Sequence, residues 1–162
     1  MYYSIYESPI SPMIIVGDEI GITNIYLNKV FKESFNKYIR NDKFFEKVIN
    51  QLDDYFHGKL YKFDLKLNPI GTDFQKKVWN KLVEIPYGQV CSYKDIANSI
   101  GNIKACRAVG MANSKNPIPI IIPCHRVIGS NGRLTGYAGG LDVKEKLLNL
   151  EGIVTKGNKI LK

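Results

Sequence analysis

Near Ile70 the hydrophobic period of this chain changes, and that change limits its fold more than any other feature. Before it, apolar residues mostly alternate as strands require; after it, they recur at helical spacing behind capping residues. Tyr2 to Tyr6 alternates, Ser8-Pro9 and Ser11-Pro12 interrupt it, and Met13 to Val16 can pair with Gly21 to Leu27 across Gly17-Asp18. Asn41 is placed to cap a helix running to about His57, with Phe44, Phe45, Val48, Ile49, Leu52 and Phe56 as its apolar face and Gly58 ending it. Leu60 to Leu67 alternates again and is expected as another strand, closed by Asn68-Pro69.

The second part is expected to be mostly helical. Thr72-x-x-Gln75 is a capping box ahead of Phe74, Val78, Trp79 and Leu82, and Ile85-Pro86 stops that helix. Ser92-x-x-Asp95 caps a short helix with Ile96 and Ala97 inward, Gly101-Asn102 turns the chain, and a second helix is expected from about Ile103 to Asn113. Helix, glycine-containing turn, helix is the outline of a helix-turn-helix, although many packed helix pairs share that pattern. Asp142-x-x-Glu145 is expected to cap a last helix through Leu150, with Gly152 behind it. The pattern gives an α+β chain of two parts, residues 1–70 and 71–162, a small sheet with a helix and then a helical domain.

Charge follows the same division. Residues 1–70 carry nine basic and nine acidic side chains, whereas residues 71–162 carry fourteen against six, so the whole net charge of +8 lies in the second part. That excess serves either solubility or a phosphate-facing surface, and charge alone does not choose. No apolar stretch approaches the roughly 20 residues of a membrane span. The N-terminus lacks the segments of a secretory signal, so an intracellular, cytoplasmic protein is expected. Cys91, Cys106 and Cys124 are odd in number without a C-x-x-C pair, which disfavours disulfides; with only His57 and His125 to add, zinc is poorly supported.

The strongest local signal is Ile118-Pro119-Ile120-Ile121-Ile122-Pro123-Cys124-His125-Arg126-Val127. It reads as a rigid apolar strand delivering a thiol beside polar residues that an inert core cysteine does not need. Cationic neighbours would lower the thiol pKa from about 8.5 and favour the reactive thiolate. Adjacent side chains of an extended segment point apart, so a water between Cys124 and His125 would have to join them.

Pro123-Cys124-His125-Arg126-Val127 resembles the active-site signature of the O6-alkylguanine-DNA alkyltransferases, the methylated-DNA–protein-cysteine methyltransferases. Further matches fall in that family's order and spacing: Val78-Trp79, Ile85-Pro86-x-Gly88, Ser92-Tyr93, Arg107-Ala108-Val109-Gly110, Asn116-Pro117, Tyr137-x-Gly139-Gly140-Leu141, Lys144 and Glu151-Gly152. The resemblance covers about residues 70–155; over residues 1–70 it rests on strand order alone. It implies a ribonuclease-H-like N-terminal domain followed by a winged-helix-like DNA-binding domain with a helix-turn-helix.

By the same resemblance, Cys124 is the nucleophile and alkyl acceptor, His125 its base through water, and Glu151 the group that orients His125. Tyr93 is implied to rotate the target nucleotide and donate a proton, and Asn116 to support the active site as a hinge. Arg107 is implied to be the finger that enters the duplex. Ala105, Cys106, Ala108, Gly110, Tyr93 and Arg126 are the remaining DNA-contact candidates. Tyr137, Ala138 and Gly139 line the pocket, with Gly139 and Gly140 expected to permit close backbone approach. Ala138 stands where some members carry serine, and Cys106 where alanine is frequent.

The expected activity is irreversible transfer of the alkyl group from O6-alkylguanine in DNA to Cys124, with O4-alkylthymine a further candidate and no cofactor required. The expected partner is double-stranded DNA approached by the minor groove with the damaged base flipped out, bound by a monomer without membrane attachment. The alternatives are a non-catalytic alkylated-DNA-binding or regulatory helix-turn-helix protein, which would not need the Cys-His-Arg run, and a cysteine hydrolase, for which the only other histidine is His57.

Overall fold

The computed structural model describes residues 1–28 and 33–161. It separates into two compact units, Met1–Ile70 and Gly71–Lys162.

The first unit is built on β1 (Tyr2–Glu7), β2 (Pro12–Gly17), β3 (Ile22–Leu27) and β4 (Ile39–Arg40), in the order β3-β2-β1-β4. β2 runs antiparallel to both β1 and β3, whereas β4 joins β1 in parallel. Being central, β2 buries Met13 to Val16 completely on both faces, which explains an apolar run where half-burial would call for alternation. Ile14 and Val16 pack with Tyr3 and Phe35 on one face. On the other, Tyr6 donates to Asp53 of α1 (Glu46–Phe56) at 3.1 Å.

Two expectations for this unit are corrected. Asn41 Oδ1 accepts the Phe44 N–H at 3.0 Å and thereby closes a turn, and the α-helix begins only at Glu46. Phe44 is consequently exposed, and Tyr55 joins Phe45, Val48 and Leu52 as the buried set. Leu60 to Leu67 is not a strand: only Leu67 forms a bridge, with Ile22, and the ladder stops there. Alternation gives a segment two faces, but a strand also needs a partner edge along its length.

In the second unit α2 (Asp73–Val83) starts from the Thr72–Gln75 capping box, with both reciprocal bonds formed. It buries Val78, Trp79 and Leu82, and the Trp79 indole donates to the Ala112 carbonyl at 2.9 Å. β5 (Cys91–Ser92) leads into α3 (Tyr93–Ser99), again from a complete capping box, Ser92 with Asp95. Gly101 takes the left-handed conformation (φ 79°), a 3-10 turn covers Ile103–Ala105, and α4 (Cys106–Ser114) follows. This is a helix-turn-helix. β6 (Val127–Ile128) pairs in parallel with β5, α5 spans Leu141–Leu150, and β7 (Thr155–Lys156) and β8 (Lys159–Ile160) form a hairpin.

The last helix departs from expectation at its start. Gly140 (φ 96°) occupies the capping position and Asp142 lies within the first turn, so Asp142-x-x-Glu145 is not a capping box. The hairpin braces the loop ahead of that helix: Leu134 N–H donates to the Asn158 carbonyl at 2.7 Å and Ile160 N–H to the Gly132 carbonyl at 2.9 Å. No helix among the described residues is long and apolar enough to cross a membrane.

Candidate active site

Cys124 is not delivered by a strand. Pro119 and Ile122 bridge each other around a tight turn in which Ile120 has φ 74°, and Cys124–Arg126 then forms a 3-10 turn ahead of β6. A β-branched residue in the left-handed region is strained by roughly 1–3 kcal/mol, so surrounding bonds must hold it. Asn116 supplies them: its Nδ2 donates to the Ile122 carbonyl at 2.7 Å and its Oδ1 accepts the Ile118 N–H at 3.0 Å. A continuous apolar run rich in isoleucine looks like a strand in sequence; it is a buried turn because Asn116 and Pro117 fold it back at one end and Pro123 ends it at the other.

The 3-10 turn buries Cys124, His125 and Arg126 together. His125 and Glu151 form a fully buried pair, Nε2 to Oε2, at 2.5 Å. Arg126 donates from Nε to Glu151 Oε1 at 2.7 Å, from Nη2 to Oε2 at 3.2 Å and from Nη1 to the Ile85 carbonyl at 2.7 Å. The Gly88 N–H adds a bond to Glu151 Oε1 at 3.2 Å. Burial pushes the Glu151 carboxyl up, but the hydrogen bonds from His125 and Arg126 and the Arg126 charge outweigh it and bring the carboxyl down to about 2.

Two expectations change here. Arg126 is not a DNA-contact residue: it is 6% exposed and held against Glu151, with its guanidinium 5.8 Å from the Tyr87 ring centre. Nor do cationic side chains flanking Cys124 in sequence bring its pKa down. Burial pushes the thiol up, against smaller opposing pulls from the Asn116 side chain, the Lys144 charge and the backbone N–H groups of Cys124 and His125. Burial also holds the His125 pKa down, which favours the neutral ring. A neutral imidazole whose Nε2–H points to Glu151 presents a bare lone pair at Nδ1. That Nδ1 is buried and has no hydrogen-bond partner, a property it shares with Asn113 Oδ1 and Tyr137 Oη.

Arg107, Ala108 and Met111 lie exposed on one face of α4, and Cys106 and Gly110 are half-buried. Ala105 is corrected: together with Val109 and Ala112 it is buried at helical spacing and faces the core. Gly110 lies against the Tyr93 ring, where a Cβ would meet ring carbons at 3.8 Å and 3.9 Å. Tyr93 Oη is 2.6 Å from Thr135 Oγ1. Tyr137 and Gly139 are half-buried and Ala138 is exposed. Gly140 is required by its φ and not by close approach, since nothing stands within 4 Å of where its Cβ would be. His57 is exposed at the end of α1 in the first unit. Among the described residues no group of three or more His, Cys, Asp or Glu could hold a metal.

Sequence reasoning missed two buried residues of this site. Asn113 donates from Nδ2 to the Cys124 carbonyl at 3.5 Å. Lys144, matched to the family's pattern but given no role, is 0% exposed, with Nζ donating to the Val127 carbonyl at 2.6 Å and the Thr135 carbonyl at 3.0 Å. Its position within the first turn of a helix, where a cation is disfavoured, was the available signal.

A buried cysteine followed in sequence by a buried His–Arg pair held on one glutamate, in a unit that also presents a helix-turn-helix, defines a helix-turn-helix protein with a buried cysteine site. Comparison with known proteins makes this particular. Residues 1–69 match the ribonuclease-like domain of 6-O-methylguanine DNA methyltransferase and residues 73–153 its DNA-binding domain. The chain belongs to the 6-O-methylguanine DNA methyltransferase family.

It is 56% identical to the methylated-DNA–protein-cysteine methyltransferase of Methanosarcina acetivorans, over 94% of this chain and 99% of that protein. The Methanosarcina barkeri protein of the same name is 59% identical, over 93% and 97%. Among solved structures, the Mycobacterium tuberculosis O6-methylguanine methyltransferase aligns with a TM-score of 0.85 at 45% identity, covering 93% of this chain and 92% of that one. The same organism's OGT, crystallised in complex with DNA, aligns with a TM-score of 0.86 at 44% identity, covering 94% and 93%.

Proposed function

We propose that this protein is a methylated-DNA–protein-cysteine methyltransferase that repairs O6-alkylguanine in DNA by taking the alkyl group onto Cys124. The observation that carries the reading is the buried His125, fixed through Nε2 by Glu151, with Nδ1 left unpaired, in the same buried turn as Cys124.

The thiol is protonated at rest, so it needs a base at the moment of reaction. His125 Nδ1 accepts the Cys124 proton through one water, and Glu151 stabilises the resulting imidazolium. The sulfur attacks the alkyl carbon in line; the S–C bond forms as the C–O6 bond breaks, and that electron pair stays on guanine. Tyr93 donates a proton to the departing base, which restores guanine. The thioether offers water no carbonyl to attack, so each molecule acts once.

A stacked base hides its O6 substituent, so the nucleotide is rotated out of the duplex at a cost of a few kcal/mol. Arg107, exposed at the start of α4, fills the gap it leaves from the minor-groove side, and Ala108 and Gly110 let the helix approach closely. Tyr137, Ala138 and Gly139 close over the base. Residues 71–162 perform this work as a monomer in the cytoplasm, and residues 1–70 support the fold.

Mass spectrometry after mixing with an oligonucleotide containing O6-methylguanine tests the reading. One methyl group per protein is expected, on the peptide bearing Cys124, with none on Cys124→Ala. Repeated turnover, or methylation of Cys91 or Cys106 instead, overturns it.

A further inference from the structure

One buried charge has no part in these steps. The Lys144 ammonium, wholly shielded from solvent, has three N–H donors, and two of them go to the Val127 and Thr135 carbonyls. Carbonyl bonds satisfy donors but do not cancel a charge. No ion pair among the described residues includes Lys144. An unopposed buried ammonium is strongly unfavourable, so a fold that retains one gains something by it.

The charges around the site identify the missing partner. Glu151 bears one negative charge, and the Arg126 guanidinium lying across both its oxygens cancels it. His125 is held neutral by burial. Lys144 therefore leaves one excess positive charge, anchored on the carbonyl three residues beyond Cys124; its charge is felt by His125 and by Cys124, and of these the thiol is the group that becomes an anion. The effect is mutual: the ammonium pulls the thiol pKa down, and an ionised sulfur pulls the lysine up, against burial that brings it to about 8. Tyr137, from the loop before α5, is another ionisable group coupled to the sulfur, and His125 follows Cys124 in the same turn, bonded to Glu151 with Arg126 nearby.

We infer that the Lys144 ammonium is the counter-charge of the Cys124 thiolate, held by the Val127 and Thr135 carbonyls so that a buried sulfur can ionise. Lys144 acts through Cys124 and is a positioning residue. The same two bonds strap the loop that carries Tyr137 to β6, so the group that balances the thiolate also holds the wall of its pocket. This rests on the reading of Cys124 as the acceptor, but its test needs no DNA.

The test follows the reaction of Cys124 with iodoacetamide across pH, quantified on its own peptide, in the wild type, Lys144→Met and Lys144→Arg. Lys144→Met is expected to raise the midpoint of the profile by at least about one unit, as loss of a nearby opposite charge does. Lys144→Arg is expected to stay near the wild type. A slower reaction with an unmoved midpoint in Lys144→Met overturns the inference. Should that variant not fold, NMR titration of the Lys144 side chain in the wild type, before and after S-methylation of Cys124, gives the reciprocal measurement. Capping the sulfur is expected to lower the lysine midpoint; an unchanged midpoint overturns the inference. Loss of methyl transfer from DNA with an intact iodoacetamide profile would instead count against the acceptor reading.

Discussion

The Nε2 of His125 and the Oε2 of Glu151 stand 2.5 Å apart with both side chains wholly buried. That bond decides which imidazole nitrogen carries the proton and which is left to accept one. Glu151→Gln replaces the carboxylate with an amide that cannot stabilise an imidazolium. Alkyl transfer is expected to slow by about 10²–10³-fold, within the range of general-base effects. The same change leaves Arg126 buried without its anion, and breaking such a pair costs about 3–5 kcal/mol. Single-turnover rates and urea denaturation measure the two effects separately.

Acid should unfold the protein partly through the same carboxylate. Glu151 ionises at about 2 in the fold, against an ordinary value of 4.5. A depressed folded pKa contributes stability that is fully present above the unfolded value and is lost as pH falls through the folded one. Urea midpoints are therefore expected to hold between pH 7 and 5 and to decline from pH 5 towards 2. In Glu151→Gln that decline should be shallower; an equal slope would mean that other carboxylates account for it.

Gly88 has φ 78°, donates its N–H to Glu151 Oε1, and would place a Cβ 3.3 Å from the Glu151 carbonyl. Gly88→Ala is expected to cost about 1–2 kcal/mol from the left-handed conformation alone. A lowered melting temperature checks this, and a neutral result would show that the turn relaxes.

Arg107→Ala separates duplex opening from chemistry. Reaction with duplex O6-methylguanine is expected to fall at least about tenfold, the effect of losing ~1.4 kcal/mol. Reaction with free O6-benzylguanine should change little, because no base pair has to open. Equal losses on both substrates would refute the finger role.

Features set by neighbours in sequence were legible, and features set by distant partners were not. The Thr72–Gln75 and Ser92–Asp95 boxes close within three residues, and both helices start where those side chains dictate. The strand expected at Leu60–Leu67 needed an edge that only Leu67 finds. Arg126 looked like a surface cation because its carboxylate lies 25 residues further on. Beyond its place in the first turn of a helix, Lys144 showed nothing of its burial, since the two carbonyls that hold it become neighbours only once β6 and the loop before α5 are in place. The Asp142 box failed because Gly140 could adopt φ 96° and start the helix earlier.

The end of α4 and the turn just beyond it hold the Cys124 turn at two points, Asn113 on the Cys124 carbonyl and Asn116 on the Ile122 carbonyl. Any tilt of α4 as it meets a helical polyanion is therefore transmitted along two short tethers to the reacting sulfur. If α4 seats on DNA as proposed, poor seating on undamaged sequence would misalign Cys124 through these tethers, and discrimination would begin mechanically before any base is inspected.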